Sequence, residues 1–260
     1  MLLEVRNTQV RYGAMLALEN VSIDVASGTL VALVGANGAG KTTLLKAISG
    51  LVDLACGEIR FEGRRISGKS AYRIARMGIG HVPEGRGVLP EISVAENFQI
   101  GAYQSRAAST VAFDEEKVLE LFPSLKRRWR QPASVLSGGE QQMLSIGRAL
   151  MKRPTLLLVD EMSLGLAPIV VHELMAILCR LVEQGLTVLC VEQNTGLVLR
   201  HAAYAYVLQN GTVAHEGPGS SLRAETVLQT AYLGKSKRAA PGRGDDGANR
   251  AIHPAGKDQR

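Results

Sequence analysis

No uncharged apolar run in the 260-residue chain approaches the roughly 20 residues that a membrane-spanning helix needs, so the chain is not expected to cross a bilayer by itself. Its opening, MLLEVRNTQV, reaches Glu4 and Arg6 before the apolar core of a secretion signal could form. Cysteine is scarce, and Cys56, Cys179 and Cys190 make no C-x-x-C pair. That spacing suggests no metal site, and because two of the three lie in apolar surroundings, buried thiols in a reducing cytosol are expected rather than disulfides. Internal repeats and Pro/Ser-rich internal linkers are also absent. The formal charge of +6 is uneven: residues 235–260 hold seven Lys/Arg against three Asp, leaving 23 basic against 21 acidic residues before them. A nucleic-acid partner is therefore not expected, and the Gly-, Ala- and Pro-rich tail is expected to be disordered.

What is present is a packed α/β pattern, with 46% of residues hydrophobic. Three short apolar runs, Leu30 to Val34, Leu156 to Val159 and Thr187 to Val191, predict strands buried on both faces of a parallel sheet. Helical patterns follow the first two, from Lys41 to Ser49 and from Pro168, a residue suited to the first helical position. Near the N-terminus LEVRNTQVRY and LENVSIDVAS alternate as half-exposed antiparallel strands do, and GEIRFEG resembles them. Strand signals vanish between Pro90 and Arg153, which predicts an inserted helical subdomain at about residues 90–153.

The segment GANGAGKTT satisfies G-x-x-x-x-G-K-[ST] between a buried strand and a helix, the setting that a phosphate-binding loop requires. The backbone of Gly35, Asn37, Gly38, Ala39 and Gly40 is expected to curl around phosphates, with Lys41 on the β/γ oxygens, the Thr42 hydroxyl on Mg²⁺ and Thr43 on the α-phosphate. Downstream, LLLVDE ends a buried strand with Asp160 and Glu161 adjacent, where an open parallel sheet binds its ligands. Asp160 can hold Mg²⁺ and Glu161 can polarise an attacking water as general base.

A second phosphate-facing element is suggested by LSGGEQQ, Leu136 to Gln142. Ser137 and Glu140 fit a capping box, and Met143, Ile146, Gly147 and Leu150 then mark one buried helix face. Capping does not explain Gly138 and Gly139, each of which costs a helix about 1 kcal/mol relative to alanine. Removing side-chain bulk at the positive end of a helix suits a bulky anion.

With LSGGEQQ lying between the phosphate loop and LLLVDE, residues 1–234 resemble an ATP-binding cassette (ABC) ATPase. The resemblance implies a P-loop NTPase core with a mixed sheet, an N-terminal antiparallel β-subdomain and the inserted helical subdomain. It also implies that two cassettes pair head to tail, so that Ser137, Gly138 and Gly139 of one cover the ATP held by the other. Tyr12 matches the adenine-stacking aromatic, with a buried core tyrosine as its rival, and SLGL, Ser163 to Leu166, matches the D-loop.

Two positions depart from the common family pattern. Glu84, in HVPEGR, stands at the usual Q-loop glutamine and is a candidate Mg²⁺ ligand; Gln193, in VEQN, stands at the switch histidine and can donate to a γ-phosphate but cannot titrate. Their combination resembles the LivF-type ATPases of branched-chain amino-acid importers, with Met162 replacing a usual proline, an exchange expected to loosen that loop. The resemblance therefore implies a cytoplasmic ATPase subunit, peripheral on the inner face of the membrane. Its catalytic residues are Glu161, Gln193 and Lys41, and its cofactors are ATP and Mg²⁺. The implied partners are a second cassette, a copy or a related chain, two permease subunits and, indirectly, a periplasmic solute-binding protein. A urea or short-chain amide importer and a non-transport ABC ATPase stand as alternatives.

Overall fold

The computed structural model describes residues 1–103, 115–193 and 195–222; the expected tail at 235–260 lies outside the described residues. The strands are β1 (Leu3–Tyr12), β2 (Met15–Val25), β3 (Leu30–Val34), β4 (Cys56–Phe61), β5 (Arg64–Arg65), β6 (Ile79–Val82), β7 (Leu156–Asp160), β8 (Thr187–Glu192), β9 (Tyr204–Gln209) and β10 (Thr212–Gly217). They form a four-stranded antiparallel sheet, β2-β1-β4-β5, and a six-stranded sheet, β10-β9-β3-β8-β7-β6, in which every strand but β10 runs parallel. The helices are α1 (Lys41–Ile48), α2 (Ala71–Arg76), α3 (Val94–Ala102), α4 (Glu115–Leu121), α5 (Pro123–Arg127), α6 (Gly138–Leu150), α7 (Pro168–Glu183), α8 (Thr195–His201) and α9 (Gly219–Leu222).

The continuous apolar runs arise because the large sheet is covered twice. Leu30, Ala32 and Val34 of β3 face one core, shared with residues of α6, α7 and α8, whereas Val31 and Leu33 face a second core shared with α1 and the antiparallel sheet. The same alternation holds in β7 and β8. This mixed-sheet α/β architecture with an antiparallel β-layer is the one expected.

The chain between neighbouring strands β6 and β7 forms α3 to α6 and, among the described residues, only an isolated bridge, Ser93 to Pro132. Helices α3 and α6 approach closely: a Cβ on Gly147 would lie 2.8 Å from the Phe98 ring, and one on Gly101 would lie 2.5 Å from the Arg148 carbonyl oxygen. Of the two cysteines in apolar surroundings, Cys190 is buried and Cys179 half-buried; Cys56 is exposed at the start of β4. The Met162 side chain is 1% exposed and belongs to the core that residues of α7 share.

What positions the site is register. Val34 pairs with Glu192 and Asp160 with Val191, so the carboxyl ends of β3, β8 and β7 present Gly35, Gln193 and Glu161 at one edge of the sheet.

Candidate active site

The loop leaving β3 is shaped by close backbone approach. A Cβ on Gly35 would stand 2.2 Å from the Leu208 carbonyl oxygen, and Gly40, which caps α1, has φ +103° with Ala17 and Leu18 against it. Lys41 is only 3% exposed. Its Nζ donates to the carbonyls of Gly35 at 2.8 Å and Ala36 at 3.1 Å and pairs with Glu161 Oε1 at 3.3 Å. A phosphate loop is thus already folded around its own ammonium group. From behind, the Gly211 amide donates to the Ala39 carbonyl at 3.0 Å, carried there by the two-residue Asn210–Gly211 turn between β9 and β10, both residues at positive φ.

Asp160, 1% exposed, accepts from the Thr42 hydroxyl at 3.3 Å. Burial raises its pKa to about 6, with Glu161 and Glu84 adding to the rise and the Thr42 hydrogen bond and Lys41 opposing it. Glu161 occupies the left-handed region at φ +46°, a strained conformation for a residue with a side chain. Its amide donates to Val191 O at 2.9 Å, and Gln193 Nε2 donates to its Oε2 at 2.6 Å. The carboxylate is therefore held between an ammonium and an amide.

These groups meet at a cleft of about 550 Å³ lined by Tyr12, Asn37, Gly38, Gly40, Lys41, Thr42, Thr43, Glu84, Glu161 and Gln193. Two larger cavities, about 690 and 620 Å³, lie beside the edge strands β2 and β10 and near Tyr204. Convergence of a phosphate loop, an ammonium and a strand-end carboxylate singles out the smaller one. Tyr12 stands at its rim, 41% exposed, which rules out the buried-core alternative. Gly35, Ala39 and Asp160 are not among its lining residues: Gly35 and Ala39 belong to the loop's backbone, and Asp160 is buried beside Thr42.

Ser137, Gly138 and Gly139 do not line this cleft either. Ser137 caps α6 as expected, its Oγ accepting from the Glu140 amide at 3.3 Å and its own amide donating to Glu140 Oε2 at 2.9 Å. The two glycines also have a local steric cause that the sequence did not reveal. A Cβ on Gly138 would fall 2.7 Å from the Arg86 guanidinium and one on Gly139 2.8 Å from Val170. Arg86 comes from the loop after β6 and donates to Gln141 Oε1 at 2.8 Å. That loop, which carries the exposed Glu84, is further fixed by Arg148 donating to Gly87 O and by buried Asn97 bonding both the amide and the carbonyl of Leu89 at 3.0 Å.

The sequence profile of the family described as "ABC transporter" matches residues 18–163, from β2 through the phosphate loop and α6 to the residues after Glu161. The chain belongs to this family of ABC ATPases. The cassette is 46% identical over 223 residues to a high-affinity branched-chain amino acid transport ATP-binding protein, BraG, of Pseudomonas aeruginosa, covering 86% of this chain and 95% of that one. It superposes on a nucleotide-free ATP-binding cassette from an ABC transporter with a TM-score of 0.77 at 30% identity, covering 88% and 95% of the two chains. A dimeric bacterial ABC transporter cassette matches at 25% identity with a TM-score of 0.73, covering 83% and 98%.

The donors in the cassette suit a magnesium ion. Thr42 and Asp160 offer hard oxygens already in contact, and among the described residues no basic side chain forms an ion pair with the buried Asp160 carboxylate, a deficit that a divalent ion would offset. No cluster of three or more His, Cys, Asp or Glu side chains that could hold a metal occurs among the described residues. Sequence reasoning missed Asn210 and Gly211, although Asn-Gly between two strands is a strong hairpin signal. It also passed over Glu192, whose role emerges only from contacts.

Proposed function

We propose that the cassette is the energy-converting subunit of an importer for branched-chain amino acids. Lys41 and the amides of residues 35–43 would hold the triphosphate of ATP, Tyr12 would stack on adenine, and Glu161 would take a proton from the attacking water, with Gln193 orienting it. Mg²⁺, bound by Thr42, Asp160 and Glu84, would neutralise charge on the β- and γ-phosphates. The observation that carries this reading is the strained Glu161 carboxylate, fixed at a strand end between Lys41 and Gln193. Gln193 cannot ionise, so its contribution is geometric.

Ser137, Gly138 and Gly139 lie away from the chain's own cleft, which supports their use on the nucleotide of a second cassette, a copy or a related chain. The dimeric cassette of known structure supports pairing of two such chains. Among the described residues no helix is long and apolar enough to cross a membrane. Two permease subunits would supply the passage, with this chain peripheral on the cytoplasmic face and a solute-binding protein delivering cargo from outside. Exposed Leu89, on the loop after β6, and Ile100 and Tyr103, at α3 in the insertion at about residues 90–153, supply apolar area for a permease contact. The amino-acid specificity rests on the likeness to BraG, because the cassette's own cleft is built for phosphate.

The test is reconstitution with the permeases in vesicles. ATP hydrolysis should rise when the binding protein carries leucine, isoleucine or valine. Stimulation by urea or a short amide instead would transfer the cassette to another importer, and hydrolysis that ignores every solute would remove it from transport.

A further inference from the structure

Glu192 is 2% exposed, yet no basic side chain pairs with it among the described residues. Both of its carboxylate oxygens bond Ser163, Oε1 accepting from the Ser163 amide at 3.1 Å and Oε2 from the Ser163 hydroxyl at 2.5 Å, and the Gln193 backbone amide is a further donor to the carboxylate. A carboxylate buried without a counter-ion is an expensive way to fill space. Burial pushes its pKa upward, and the Ser163 donors oppose that rise. Both donors point to an ionised acceptor.

The neighbours of Glu192 complete the pattern. Val191 O accepts the Glu161 amide at 2.9 Å, and the Gln193 side chain grips the Glu161 carboxylate at 2.6 Å. Between Glu161 and Ser163, the Met162 side chain is sunk into the core. Three consecutive residues at the end of β8 therefore hold the turn leaving β7 on both sides of its left-handed residue. A glutamate at φ +46° persists only if its surroundings over-determine it.

The geometry points to Glu192 as a positioning residue: by clamping Ser163 it keeps Glu161 in the left-handed conformation that aims its carboxylate between Lys41 and Gln193. This inference rests on the reading of Glu161 as the general base. Among the described residues the Glu192 side chain forms no hydrogen bond to the phosphate loop or to Lys41, so its loss should be felt in turnover and not in ATP affinity. Glu192→Ala removes both acceptor oxygens and undoes the clamp, whereas Glu192→Gln can keep it, its oxygen accepting from the Ser163 amide and its NH₂ donating to the Ser163 hydroxyl.

The test uses the full-length chain, with its partner cassette and permeases where turnover needs them, and measures kcat, the dissociation constant for ATP and the melting temperature. Glu192→Ala should lower kcat about 10- to 100-fold, the scale expected when a reacting group is displaced by about an ångström, with ATP affinity within about threefold of wild type, and Glu192→Gln should lose less. Ser163→Ala removes the hydroxyl donor and should give a smaller loss in the same parameter. In the Glu192→Ala background it should add almost nothing, because the two residues act as one unit. A folded Glu192→Ala chain with kcat within about twofold of wild type, an equal loss in ATP affinity, or additive losses in the double variant would each overturn the assignment. Should Glu192→Ala fail to fold, Ser163→Ala alone decides, with unchanged kcat counting against the clamp. Glu161→Gln is measured alongside: wild-type turnover there would sink the general-base reading and not the clamp.

Discussion

Replacing Glu161 by glutamine should make ATP bind more tightly while hydrolysis stops. The reason is the ion pair in which Lys41 and Glu161, 3% and 8% exposed at their side chains, stand 3.3 Å apart. At an effective dielectric constant of about 20 their gross attraction is about 5 kcal/mol. Most of that is cancelled by the desolvation of two buried ions. Lys41 also keeps its bonds to Gly35 and Ala36, and Glu161 its bond from Gln193, when the pair separates. A net of about 1–2 kcal/mol is left to oppose the transfer of Lys41 to phosphate, which corresponds to roughly 5- to 30-fold in affinity. Glutamine preserves volume and an acceptor oxygen but removes the competing charge. Equilibrium titration with ATP in Mg²⁺-free buffer, where turnover does not blur binding, should therefore show a lower dissociation constant for Glu161→Gln, and steady-state hydrolysis should fall at least about 100-fold. An unchanged or higher dissociation constant would refute the idea that the pair competes with nucleotide.

Three further outcomes can be measured separately. Burial and Lys46 lower the His81 pKa to about 4. Its neutral form is therefore favoured in the fold, and stability is complete above about pH 6.5 and falls by about 3 kcal/mol as pH drops toward 4. Subtracting the urea-denaturation profile of His81→Gln isolates this slope from the opposite contributions of Asp160 and Glu192, and parallel profiles would contradict it. The raised pKa of Asp160, about 6, means that protons compete with Mg²⁺ below that value. The advantage of MgATP over ATP alone should shrink from about pH 7.5 to about pH 5.5 and be absent throughout in Asp160→Asn; an advantage independent of pH would remove Asp160 from the metal site. Gly101→Ala would drive a methyl group into the Arg148 carbonyl, so α3 and α6 must part. Unfolding should become easier by about 1–3 kcal/mol, and an unchanged urea midpoint would show that the contact is slack.

Much of the site could be read from residue order because it is local. The glycine-rich loop before α1, the acids at the end of β7 and the Ser137–Glu140 cap each depend on neighbours within a few positions, and each stands at the element boundary that the strand and helix patterns mark. The long buried strands were equally legible, since a sheet covered on both faces leaves apolar residues at every position. What escaped depends on distant partners. β6 is four residues long and contains Gly80 and His81, which break an apolar signature, and β9 and β10 were passed over despite the Asn-Gly between them. The glycines of LSGGEQQ were explained by an anion alone, whereas Arg86 and Val170, from two other elements, also crowd them. Glu192 looked like part of a motif until Ser163 was found on both its oxygens.

The Asn210–Gly211 turn ties the latest strands to the earliest motif. Residues 18–163 carry the phosphate loop, LSGGEQQ and LLLVDE, but the amide that braces Ala39 arrives from residue 211, and the side chain that grips Glu161 from residue 193. A fragment trimmed to the signatures would keep all the lettering and lose the scaffolding behind it, so neither the loop nor the carboxylate would hold its shape.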